Sequence, residues 1–117
     1  MERENNHVKD ATLSASDAES IRRAGSIIKT GGLVAFPTET VYGLGCDAMN
    51  AEAAAKVFEV KQRPQFDPLI VHIADLKQLE MLIESLPDVG QRLIDTFWPG
   101  PLTLVLPKQP AIPDLIT

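Results

Sequence analysis

Between residues 16 and 106 the spacing of apolar positions changes repeatedly, and each change predicts a new element. Ile21, Ala24, Ile27 and Ile28 recur at helical spacing behind Ser16-Asp17-Ala18-Glu19. That string reads as a capping box, in which the serine oxygen and the glutamate satisfy free N–H groups at a helix start. Gly31-Gly32 supplies the stop. The apolar run Leu33-Val34-Ala35-Phe36 then reads as a short buried strand. Asn50 is placed to cap a second helix, with Glu52 near its positive end, Ala54, Val57 and Phe58 as its inner stripe, and an end near Lys61. Residues 69–73 have the length and branching of a buried strand, and their one polar member is His72.

Asp75 and Gln78 form another capping pair ahead of a wide apolar stripe of Leu76, Leu79, Leu82, Ile83 and Leu86, which Pro87 closes. A short helix over residues 88–97 is expected to bury Val89, Leu93, Ile94 and Phe97. Trp98-Pro99-Gly100-Pro101 stops it as a rigid corner on which the indole packs, and residues 102–106 read as a last strand. Residues 1–13 are polar and read as a flexible leader or a first edge strand around residues 8–13. Strands alternating with helices in this order give the α/β or α+β class.

The segment after residue 36 combines the hydroxyls of Thr38, Thr40 and Tyr42 with Gly43 and Gly45, which let the backbone turn sharply or approach a ligand. A loop at the carboxyl end of a strand is where α/β proteins place ligands, although the same composition also suits a plain turn. Neither nucleotide-binding glycine fingerprint is present. Arg63 precedes Pro64, which favours an extended backbone and would let Lys61 and Arg63 face one ligand. These two cations either hold phosphates, Arg63 through its planar fork and Lys61 as a point charge, or merely complement a helix dipole. His72 is either a satisfied structural histidine or a ligand contact. No carboxylate pair, Ser-His-Asp set or Cys-His set stands out, so the residues suit positioning and charge stabilisation, on which phosphoryl or nucleotidyl transfer chiefly depends.

Composition narrows this picture. The chain has 117 residues, ordinary apolar content and a net charge of −5, which gives no support for a broadly basic nucleic-acid surface. Its apolar runs are far short of a membrane span and its start lacks a signal-peptide core, which points to the cytoplasm. Cys46 is the only cysteine, so no internal disulfide forms, and with only His7 and His72 beside it a His/Cys metal site is not expected.

Three strings in order, Pro37-Thr38-Glu39-Thr40-Val41-Tyr42-Gly43-Leu44, then Lys61-Gln62-Arg63-Pro64 running to Pro68-Leu69-Ile70-Val71-His72, then Trp98-Pro99-Gly100-Pro101-Leu102-Thr103, resemble the YrdC-like family of threonylcarbamoyl-AMP synthases. The resemblance implies a twisted mixed sheet flanked by helices, with residues 14–117 as the N-terminal part of a single YrdC-like domain. It also implies that L-threonine, bicarbonate and ATP are joined into threonylcarbamoyl-AMP with release of pyrophosphate. A downstream tRNA-modifying transferase complex would then place the threonylcarbamoyl group on the adenosine beside the anticodon.

By that resemblance Thr40 and His72 contact threonine, with Thr38 and Tyr42 lining the pocket. Arg63 and Asp67 contact ATP, Lys61 lies on its phosphates, and magnesium accompanies the nucleotide. Lys61 and Arg63 are thus the candidate catalytic cations. Two departures stand out: Asp67 occupies a position where the family usually has asparagine, and the chain stops at Thr117 without the family's later strand and loop, so a truncated member is expected. Two other readings are a non-catalytic module contacting double-stranded RNA or tRNA, which the acidic balance disfavours, and a carbamoyl-adenylate domain of the hydrogenase-maturation type.

Overall fold

The computed structural model describes residues 11–62 and 68–116. Its elements are α1 (Ala18–Lys29), β1 (Val34–Pro37), β2 (Tyr42–Gly45), α2 (Ala51–Lys61), a 3-10 turn (Leu76–Gln78), α3 (Leu79–Leu82) and α4 (Asp88–Phe97). Helices and a small antiparallel sheet make this an α+β chain. Its backbone divides after Asp47 into two compact units, the first ending at Asp47 and the second beginning at Ala48. The expected leader or edge strand falls mainly on residues outside those described, and residues 11–13 form no strand.

In the first unit α1 is capped one residue later than expected. Asp17, not Ser16, accepts the Ser20 amide at 3.3 Å and the Ser20 hydroxyl at 2.9 Å, while Ser16 pairs with Ser14. A carboxylate at that position both satisfies a free N–H and meets the positive end of the helix dipole. The glycine stop forms as expected. Gly31 N–H donates to the Ile28 carbonyl at 3.0 Å and Gly32 N–H to the Ile27 carbonyl at 2.8 Å, with Gly31 at φ 96°. This paired closure needs a left-handed residue just past the helix, which glycine adopts without strain.

β1 pairs with β2 in register Val34↔Gly45, Ala35↔Leu44, Phe36↔Gly43 and Pro37↔Tyr42. The strand therefore starts and ends one residue later than expected, and Pro37 closes the ladder at its margin. It is not the buried strand anticipated: Val34 is half-buried, while Ala35, Phe36 and Pro37 are exposed. Among the described residues β1 pairs with β2 alone, in a ribbon with α1 packed against β1. For the same reason the α1 stripe is only partly covered, with Ala24, Ile27 and Ile28 half-buried and Ile21 exposed.

In the second unit Asn50 caps α2, its Oδ1 accepting the Ala53 N–H at 3.0 Å. The expected inner stripe is present, with Ala54, Val57 and Phe58 buried together with Ala53. Asn50→Ala should lower unfolding stability by about 1 kcal/mol in a urea titration, because one amide of the first turn loses its partner. An unchanged midpoint would show that solvent replaces the cap without cost.

Asp75 and Gln78 form their capping box, with Gln78 Oε1 accepting the Asp75 N–H at 3.2 Å and Asp75 Oδ1 accepting the Lys77 N–H at 2.9 Å. The helix it starts is shorter than the stripe suggested and ends at Leu82. Ile83 instead bridges Lys108 in antiparallel fashion, Glu84 N–H donates to Pro107 and Gln109 N–H donates to Leu82. Bonds to a distant segment thus displace the next helical turn. α4 spans the expected residues, but only Ile94 of its apolar set is buried; Leu93 is half-buried, and Val89 and Phe97 are exposed. Trp98 ends α4 and is half-buried, in keeping with a structural corner.

Residues 69–73 and 102–106 are not strands. Both keep the period-two alternation of strand sequence: Leu69, Val71, Ile73, Leu102, Leu104 and Leu106 are half-buried, and the residues between them are exposed. Neither segment joins a ladder among the described residues, and this lack of a partner is why the expected buried strands do not form. Near the end of the chain Lys108 Nζ donates to the Ile112 carbonyl at 3.0 Å and meets Asp114 Oδ1 at 2.8 Å. The hydrogen bond from Lys108, reinforced by its charge, holds the Asp114 carboxyl below its ordinary value. Its contribution is present above the ordinary carboxylate range and fades as pH falls through the lowered value.

Candidate functional site

The three candidate hydroxyls converge on one hairpin of the first unit. Phe36 faces Gly43 across the ladder, and a Cβ at Gly43 would lie 2.8 Å from Phe36 Cζ. Glycine there lets the ring lie against the backbone of β2. Beyond the Pro37–Tyr42 pair the chain reverses through Thr38-Glu39-Thr40-Val41. Thr38 N–H donates to the Val41 carbonyl at 2.8 Å. The Thr38 hydroxyl also donates to that carbonyl and accepts the Val41 N–H at 3.1 Å. Glu39 and Thr40 form the exposed tip, and Tyr42 is 77% exposed. The stretch expected as a ligand loop at the carboxyl end of a strand is therefore the turn of an antiparallel hairpin.

Cys46 follows β2. Burial pushes its thiol upward and the neighbouring Asp47 charge adds to the shift, so the thiol is held protonated at neutral pH.

The second unit holds the other described candidates. Lys61 is the last residue of α2 and is exposed, and Gln62 follows in the left-handed region at φ 53°. A helical Lys61 and a left-handed Gln62 replace the extended run expected to align Lys61 with Arg63. Arg63 and Asp67 lie outside the described residues.

His72 is exposed rather than part of an apolar core, and its Nδ1 lies 3.1 Å from the Ile70 carbonyl. A carbonyl only accepts, so this contact makes Nδ1 the donor and leaves Nε2 as the ring nitrogen free for a ligand. His72 also lines an apolar cavity of about 620 Å³, with Ile70, Trp98, Leu104 and Ile112 among the other walls. Two partners were not legible in advance, the Val41 backbone and the Ile70 carbonyl. Both are main-chain groups, and the only sequence signal for them is a hydroxyl or imidazole two or three residues away in a turning or extended segment.

Among the described residues no group of three or more His, Cys, Asp or Glu side chains is placed to hold a metal ion. No helix of the described residues is long and apolar enough to cross a membrane.

A profile of the Sua5, YciO and YrdC family, described as telomere recombination, matches residues 26–117. The chain is 54% identical over 97 residues to the threonylcarbamoyl-AMP synthase of Pyrococcus abyssi, a match covering 83% of this chain and 28% of that protein. It is 50% identical over 98 residues to the synthase of the same name from Bacillus subtilis, covering 84% and 28%. The crystal structure of P. abyssi Sua5 complexed with L-threonine aligns with a TM-score of 0.81 at 51% identity, over 86% of this chain and 30% of that one. The chain thus spans under a third of the length of these relatives.

Proposed function

Because this chain belongs to the Sua5, YciO and YrdC family, we propose that it carries part of a threonylcarbamoyl-AMP synthase site and that it works in the cytoplasm. The observation that carries the reading is the Pro37-Thr38-Glu39-Thr40 hairpin, which offers an exposed threonine within a stretch 51% identical to a protein crystallised with L-threonine. In the proposed reaction the threonine amine attacks bicarbonate, losing water to give a carbamate. A carbamate oxygen then attacks the α-phosphorus of ATP, and the bond to the β-phosphate oxygen breaks to release pyrophosphate. The product supplies the threonylcarbamoyl group that a downstream transferase complex places on the tRNA adenosine next to the anticodon.

In this reading Thr40 and His72 meet threonine, and Tyr42 lines its site. The hydrogen bond at Nδ1 of His72 fixes which nitrogen is offered to the ligand. Arg63 and Asp67 meet ATP, and Lys61 lies on the phosphates. Magnesium arrives as part of the substrate, on the ATP phosphates, where it neutralises charge opposing the attack. The asparagine-to-aspartate change at position 67 sets a carboxylate against that triphosphate and favours binding of the magnesium complex over free ATP.

Isothermal titration of the folded chain with magnesium and ATP, with and without L-threonine and bicarbonate, tests the proposal. ATP binding that strengthens when threonine and bicarbonate are present supports it; a folded chain that takes up neither ligand overturns it. Arg63→Ala is expected to reduce ATP affinity roughly tenfold or more with the circular dichroism unchanged. Undiminished ATP affinity in that variant would remove Arg63 from the nucleotide site.

A further inference from the structure

We propose that Thr38 is a positioning residue for the threonine site, one that closes the hairpin and thereby presents Thr40, and does not itself contact the substrate. The proposal rests on the synthase reading for its ligand and on the hairpin geometry for its mechanism. When two residues flank a two-residue loop, they ordinarily exchange a pair of N–H to carbonyl bonds. Here only one such bond is present, from Thr38 N–H to the Val41 carbonyl at 2.8 Å. The Val41 N–H goes instead to the Thr38 hydroxyl at 3.1 Å, and the hydroxyl hydrogen returns to the Val41 carbonyl. The side chain therefore takes the place of Thr38's own carbonyl.

This arrangement engages the only hydrogen of the hydroxyl and one of its two lone pairs. A threonine oxygen has one hydrogen to donate, and that hydrogen is engaged by Val41. Thr40, two residues on, has no hydrogen-bond partner for its side chain among the described residues and sits at the exposed tip. The two threonines of one turn thus divide the work: Thr38 fixes the backbone between residues 38 and 41, and Thr40 keeps its hydroxyl for the ligand. Fixing a loop before binding reduces the ordering cost of association, so removing the closure weakens binding without removing a contact.

The test compares Thr38→Val, which keeps the shape and deletes both hydroxyl bonds, with Thr38→Ser, which keeps the hydroxyl. L-threonine and magnesium–ATP titrations are read beside amide hydrogen exchange at Val41. Thr38→Val should weaken L-threonine binding roughly tenfold, change ATP affinity less than twofold, and expose the Val41 amide to exchange. Thr38→Ser should restore both threonine affinity and Val41 protection.

Loss of threonine binding in Thr38→Val with Val41 still protected would make Thr38 a direct contact and overturn the proposal. So would a Thr38→Val chain that binds threonine like the parent, or a serine variant that fails to rescue. A parent chain that takes up neither L-threonine nor magnesium–ATP defeats the synthase reading, and one that fails to bind L-threonine alone defeats the ligand half of the proposal. Exchange at Val41 still decides the hairpin half.

Discussion

Thr40→Val should weaken L-threonine binding by about 10- to 100-fold, the range expected when a hydrogen bond to a charged or strongly polar ligand group is lost. The substitution keeps the branched shape and replaces only the hydroxyl at the exposed tip. Because the turn is closed by Thr38 and Val41, Val41 exchange in Thr40→Val should match the parent. That pattern is opposite to the one expected of Thr38→Val, where affinity and protection fall together. Titration of both variants on the same preparation separates contact from positioning. Full threonine affinity in Thr40→Val would move the substrate contact away from the tip of the hairpin.

The second large effect concerns stability. Phe58→Ala is expected to cost about 3–5 kcal/mol, the usual range for emptying a buried aromatic site. Phe58 is 2% exposed, and Ala54 and Val57 on the same inner stripe of α2 are buried too. The small side chain of Ala54 lies about one turn before Phe58 on the same helix, and an alanine offers no reach with which to refill the space. A native stability of about 5–15 kcal/mol is typical of a domain, so this one change removes a large share of it. Urea unfolding followed by circular dichroism measures the loss. A cost under about 1 kcal/mol would mean that the α2 stripe collapses around the gap and is not a fixed core.

Caps and breakers were legible from the chain because they act within three or four residues. Asn50 reaching Ala53, Asp75 reaching Lys77, and the glycine pair closing α1 need nothing from distant sequence. The capping oxygen of α1 was misplaced by one residue because Ser16 and Asp17 are both good caps, and the choice lies in which side chain reaches the Ser20 amide. Burial was less legible. Val89 and Phe97 obey the helical period of α4 yet are exposed, since period says which residues share a face and not whether that face is covered. The same holds for residues 69–73, where alternation is present and no strand partner is described.

At the candidate site, sequence placed Thr38, Thr40 and Tyr42 in one loop after a strand, but neither the hairpin nor their separate employment. Which hydroxyl folds back on the main chain depends on a side-chain rotamer, and two threonines two residues apart carry the same letter. His72 shows the converse: the role of its Nδ1 follows from one carbonyl two residues away, which any residue at position 70 would supply.

The alternating segments at residues 69–73 and 102–106 bear on how the protein behaves in a crowded solution. Val105 is 97% exposed, and the amides of residues 103–106 have no bonding partner among the described residues. Extended apolar backbone with open amides is a template on which other polypeptides add as cross-strands, and in many proteins a lysine or proline on such an edge discourages this. The run Leu102-Thr103-Leu104-Val105-Leu106 carries no such gatekeeper, and Pro101 and Pro107 stand only at its two ends. The chain's net charge of −5 keeps copies apart over long range but is silent at contact distance. Self-association through this run is therefore expected to rise with protein concentration and with ionic strength, which screens the repulsion between copies.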